Sequence, residues 1–157
     1  MSTRHSLSIL AAAAAALVSS SGGWAASAPA HAALVIRHET RGCHSWAVNG
    51  GPFKATQSVS LRRGGWITIT DDDVMPHLLV QTSGPAKAAI ARVPGGMHDM
   101  ATDLKGPGLM AHMGATVKVS FARAGVYRFT TKAGEDYMPG VKTVGEDNAL
   151  RLTVRVS

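Results

Sequence analysis

The chain has 157 residues, 45% hydrophobic and 17% charged, enough for one domain, short for two, and too apolar to stay disordered. Its 16 Lys and Arg against 10 Asp and Glu give a formal charge of +6, but the basic residues are scattered, with Arg62-Arg63 the only adjacent pair; without an aromatic-basic ladder they do not make a nucleic-acid interface. A single cysteine excludes an internal disulfide framework and a Cys₂ or Cys₄ zinc site within one chain.

Residues 1–32 read as a cleavable export signal. Arg4 supplies a positive start, Leu7 to Val18 form an apolar run, and Ala30-His31-Ala32 fits the small-x-small cleavage rule. That run is too short to span a bilayer. The mature domain is therefore expected at 33–157, exported to the periplasm, the cell envelope or the medium, and not integral to a membrane after cleavage.

From Leu34 onward the sequence reads as short strands. Leu34-Val35-Ile36 comes first, then Cys43 to Val48, closed by Asn49-Gly50-Gly51-Pro52. Val59 and Leu61 alternate with polar residues, Gly64-Gly65 turns the chain, and Trp66 to Thr70 follows, so Val59, Leu61, Ile67 and Ile69 are assigned to one buried face. Asp71-Asp72-Asp73 reads as a solvated corner before the strand His77 to Val80. Lys87 to Val93 admits a turn or two of helix. Val117, Val119 and Phe121 alternate again, Ala124-Gly125 leads into Val126 to Thr130, and Leu150, Leu152, Val154 and Val156 share one face of the last strand. Seventeen glycines, seven prolines and seven to eight strands without a convincing helix point to an all-β Greek-key sandwich in one domain.

The chemistry-bearing residues are unevenly placed. Met97, His98, Met100, Met110, His112 and Met113 fall in one glycine-rich connection. Thioether sulfur is soft and imidazole intermediate, a mixture that favours copper over magnesium or calcium; the plainer reading is that flexible methionines fill gaps in an irregular loop. His77 follows Pro76, whose fixed φ stiffens the corner and pre-orders a ligand; the plainer reading has it satisfied by the acidic corner. Cys43-His44 is the third candidate: a lone exported thiol is buried, in an intermolecular disulfide, or on a metal. His38 reads as surface. No Ser-His-Asp or Cys-His-Asn arrangement or persuasive carboxylate pair is recognisable, so no enzyme is expected.

The strand string and His77 resemble the cupredoxins, the plastocyanin and azurin family of copper-binding sandwiches, from about Leu34 to Val156. The segment "SVSLRRGGWITITDDDVMPHLLV" resembles that family's hairpin, polar corner and first copper histidine, and "VKVSFARAGVYRFTTKAGEDYM" resembles its G-x-Y-x-F strand and the ligand loop that follows. In the family that loop supplies a cysteine, a histidine and a methionine. Thr131 stands in the slot aligned with the cysteine, Gly134 is near that of the histidine, and only Met138 corresponds to the axial methionine.

The resemblance thus implies a divergent cupredoxin-like fold without the usual blue-copper set of two histidines and a thiolate. The substitute set it implies is His77, Met110, His112, Met113 and Met138, with Cys43 or His44 approaching the same end. Such a site suits cuprous ion and, as a second state, cupric ion. The expected role is copper sequestration, delivery or tolerance, in exchange with a copper donor or acceptor protein, rather than electron transfer. The alternative is a metal-free cupredoxin-like module for a protein or cell-envelope partner.

Overall fold

The computed structural model describes residues 27–39, 43–133 and 150–157. Ten strands are formed, and none of the described residues is helical. They are β1 (His31–Glu39), β2 (Cys43–Val48), β3 (Thr56–Leu61), β4 (Trp66–Asp71), β5 (His77–Ser83), β6 (Ala89–Arg92), β7 (Leu109–Met110), β8 (Thr116–Ser120), β9 (Gly125–Ala133) and β10 (Arg151–Val156).

Two five-stranded sheets result, ordered β2-β1-β4-β8-β6 and β3-β10-β9-β5-β7. Each is mixed: β1 runs parallel to β4 and β10 parallel to β3, and all other pairs are antiparallel. The strands expected at Cys43–Val48 and around Trp66, His77, Thr116, Val126 and Leu152 all form. The all-β sandwich expected from the alternation is the fold observed.

The apolar alternation closes the two layers on one core. Leu34, Ile36, Leu61, Ile67, Ile69, Val117, Val119, Leu152 and Val154 are all sealed from solvent, with Trp46, Phe121, Tyr127 and Phe129 among them. Each such side chain contributes about 1.5–3 kcal/mol by leaving water. Val59 and Leu61 lie in one sheet and Ile67 and Ile69 in the other, so they face each other across the core.

Three expectations are corrected. Lys87–Val93 holds no helical turn: Ala89–Arg92 pairs with β8 as an edge strand, because Ile90 finds Val119 across the ladder. The connection rich in methionine and histidine is not wholly irregular, since Leu109–Met110 pairs with the start of β5. Asp71-Asp72-Asp73 is not a solvated corner: Asp71 and Asp73 are buried, and only Asp72 reaches outward, 2.8 Å from the Arg37 guanidinium. Ahead of the expected mature start at Ala33, β1 already begins at His31, and Ala32 is buried in the core.

Candidate metal centre

Strand direction gathers the candidate residues at one end. Because β1 and β4 are parallel, with Ile36 opposite Asp71, both finish at that end, where β2 begins with Cys43 opposite Glu39. His77 opens β5 there, paired with Met110 of β7 on one side and Ala133 of β9 on the other. The backbone then ties the β7–β8 connection to β4: the Asp71 amide donates to the Ala115 carbonyl at 2.9 Å, and the Gly114 amide donates to the Asp71 carbonyl at 2.6 Å.

At the heart of this end lies a buried pair. His77 and Asp71 are both sealed from solvent, and the His77 Nδ1–H donates to Asp71 Oδ2 at 2.9 Å. Burial raises the Asp71 pKa above its ordinary value; the hydrogen bond and charge of His77 oppose this without cancelling it. Asp73 organises the turn beneath, accepting at Oδ1 from the amides of Val74 at 2.6 Å and Met75 at 3.2 Å. Pro76 and Met75 are buried alongside, so the corner is held by packing as well as by the proline ring.

His112 sits nearer the surface but is still only 3% exposed. Its Nδ1–H donates to the Met113 carbonyl at 2.9 Å, which leaves Nε2 as the lone-pair nitrogen of the neutral ring. The loop after β6 folds over this imidazole. Gly96, at φ +94°, lies so close that a Cβ there would stand 2.6 Å from His112 Cε1. The Met100 amide donates to the Ala111 carbonyl at 2.9 Å. A two-pronged Arg92–Asp99 ion pair clips the loop to β6, its Arg92 Nη1–Asp99 Oδ2 arm 2.8 Å long. The hydrogen bond from that guanidinium lowers the Asp99 pKa.

Three thioether-bearing side chains of this region are in solvent, two from the β6–β7 loop and one from the β7–β8 connection. Met97 is 66%, Met100 39% and Met113 43% exposed, and they account for three of the five large exposed apolar side chains among the described residues. Methionine so exposed gives up the burial that normally justifies it.

The predicted set is therefore divided. His77, Met110, His112 and Met113 lie at one end of the sandwich. Met110, however, is fully buried in the hydrophobic core, whereas Met113 is in solvent. Cys43 and His44 begin β2 at the same end, with side chains outside the described set, and Met138 lies outside the described residues altogether. Thr131, in the slot aligned with the family's cysteine, is buried opposite Leu79 in β9. Among the described residues no three or more His, Cys, Asp and Glu side chains gather so as to hold a metal. The plainer reading of His77, satisfied by the acidic corner, is what the structure holds, with Asp71 the member of that corner that does it; Gly96 and Asp99, the parts that seat the loop, were not singled out from the sequence.

No protein-family model and no curated protein matches the sequence. Solved structures similar to the chain include a purple cupredoxin, rusticyanin and a multicopper oxidase. A purple cupredoxin from Nitrosopumilus maritimus is 15% identical, covering 80% of this chain and 98% of that one at a TM-score of 0.39. Rusticyanin from Thiobacillus ferrooxidans is 13% identical over 81% and 76% at 0.37. Fet3p, a multicopper oxidase that functions in iron import, is 9% identical over 80% and 27% at 0.42. These likenesses lie at 9–15% identity; the chain itself is an all-β sandwich of two five-stranded mixed sheets.

Proposed function

We propose that this is an exported copper-binding protein, acting in copper sequestration, delivery or tolerance, that takes up cuprous ion at the loop end of its sandwich. The observation that carries the reading is the exposure of Met97 and Met100, in the loop that covers His112, and of Met113, next to His112 in the chain, together with the commitment of the His112 Nδ1 to a backbone carbonyl. Thioether and imidazole donors match a soft, low-charge ion and are poor partners for magnesium or calcium. His112 would bind through Nε2, and the methionines would supply sulfur. His77 acts one step back. It holds Asp71, whose main chain fixes Gly114 and Ala115, and the Ala115 amide donates to the His112 carbonyl at 2.9 Å. A copper donor or acceptor protein would exchange the ion at this exposed surface, since thioether ligands release it readily to a competing set.

Competition titration against a cuprous chelator tests this. His112→Ala and the combined Met97, Met100 and Met113→Ala variant should each weaken cuprous binding by about 10–100-fold, the loss typical when a metal's surroundings are dismantled. The triple variant should weaken cupric ion less, because only soft donors are lost. His77→Ala should weaken binding more than His38→Ala. Unchanged affinity in all variants would overturn the copper reading. A metal-free module for a protein or envelope partner would then be the better account, and the Asp71–His77 pair, already satisfied without a metal, favours it.

A further inference from the structure

The chain upstream of the expected cut is built into the fold. β1 is an interior strand, flanked by β2 and β4. Its ladder with β4 starts at His31 opposite Trp66 and Ala32 opposite Ile67. Two residues earlier the backbone is already engaged: the Arg62 amide donates to the Pro29 carbonyl, and the Trp66 amide to the Ala30 carbonyl, each at 3.0 Å. The His31 ring lies on the Trp66 ring at 4.1 Å between centroids, with the Lys118 ammonium 4.4 Å from the same Trp66 ring. Ala32 is 1% exposed and belongs to the core. Gly65 leaves room for this segment, since a Cβ there would stand 2.9 Å from the Ala30 carbonyl oxygen and 2.7 Å from that of Arg62.

Cutting after Ala32 would remove every one of these groups. It would strip two amides of their acceptors, bare the Trp66 face that His31 covers and leave Trp66 with no β1 residue opposite it. An unpaired amide at such a point is expensive. Another small-x-small step lies upstream at Gly23-Trp24-Ala25, one short polar stretch beyond the apolar run that ends at Val18.

We infer that processing occurs at the Ala25–Ala26 bond and that the mature protein retains Pro29 to Ala32 as part of its first sheet. A leader peptidase would add water across that bond, leaving a carboxylate on Ala25 and an amine on Ala26. This rests on the export reading, not on copper binding. Ala30-His31-Ala32 then obeys the cleavage pattern by composition only.

The full chain, expressed with its own leader and recovered after export, should be examined by intact mass and N-terminal sequencing. A first residue at Ala26 is expected, and any start up to Pro29 keeps the built-in segment. A start at His31 or Ala33 would overturn the inference, and so would an intact Met1 end, which would overturn export as well. A second measurement compares chains engineered to start at Ala26 and at Ala33. The shorter should unfold at a temperature lower by roughly 5–10 °C, or fail to fold. Equal midpoints would show that residues 29–32 contribute nothing and would overturn the inference.

Discussion

Truncating His77 to alanine would leave the Asp71 carboxyl buried without the imidazole N–H that it accepts from. Breaking a buried pair from one side costs about 3–5 kcal/mol, more than the pair itself contributes, so His77→Ala should show a large fall in denaturant midpoint even without copper. The pH dependence follows from the direction of the Asp71 shift. Burial raises its folded pKa above the ordinary carboxylate value, so the native state holds the proton more tightly. Its contribution to stability is complete below about pH 4 and is lost as pH rises through the raised value. Relative to Asp71→Asn, which lacks this titration, the wild type should gain stability as pH falls from 7 towards 4; parallel profiles would contradict the assignment. At Thr131, a buried hydroxyl stands where a thiolate would be needed. Added cupric ion should therefore give no intense blue colour, and if one appeared, Cys43→Ser would have to abolish it. His77 was legible from Pro76 and the strand that follows. The acidic corner was legible as its plainer partner, but not which residue of it, because three consecutive aspartates read as a hydrated turn until the fold shows which of them point inward.

The loop between β6 and β7 depends on two local devices. Gly96 occupies a left-handed backbone conformation with no room for a Cβ over His112, and Arg92 with Asp99 anchors the segment to β6. Gly96→Ala should lift the loop, so that the Met100 amide, now bonded to Ala111, exchanges faster with deuterated solvent and cuprous affinity falls by at least about tenfold. Unchanged exchange would mean that Gly96 does not seat the loop. The Asp99 contribution runs opposite in pH to that of Asp71. Its folded pKa is lowered, chiefly by the Arg92 hydrogen bond, so its stabilising effect is present above the ordinary carboxylate range and disappears as pH falls through the lowered value. Solvent screens this surface pair, so the effect should appear as local loosening and not as global unfolding. Sequence patterning missed β6 and β7 for a physical reason. Ala89–Arg92 and Leu109–Met110 are too short to display a period, and their pairing is decided by β8 and β5 rather than by their own residues.

For the molecule as a whole, alternation specified which side chains are inside but not which layer carries them. Val59 and Leu61, like Ile67 and Ile69, point to the core from opposite sheets, a distinction that a period of two does not encode. Ile69, sealed between Leu34 on β1 and Val117 on β8, is the position where a cavity should be most costly. Ile69→Ala should destabilise by about 2–5 kcal/mol, measured as a shift in chemical denaturation with unchanged slope. The two parallel pairings have a kinetic consequence. In the second sheet, β10 lies between β3 and β9, so the last strand in chain order is the piece that joins them. A separation of 95 residues, from Thr56 to Arg151, must close before that ladder rewards it, which slows folding towards the millisecond-to-second range. A chain threaded through a membrane N-terminus first cannot complete its second layer until Arg151–Val156 has emerged. On the proposed export route the topology would act as a timer, withholding the second layer until translocation is nearly finished.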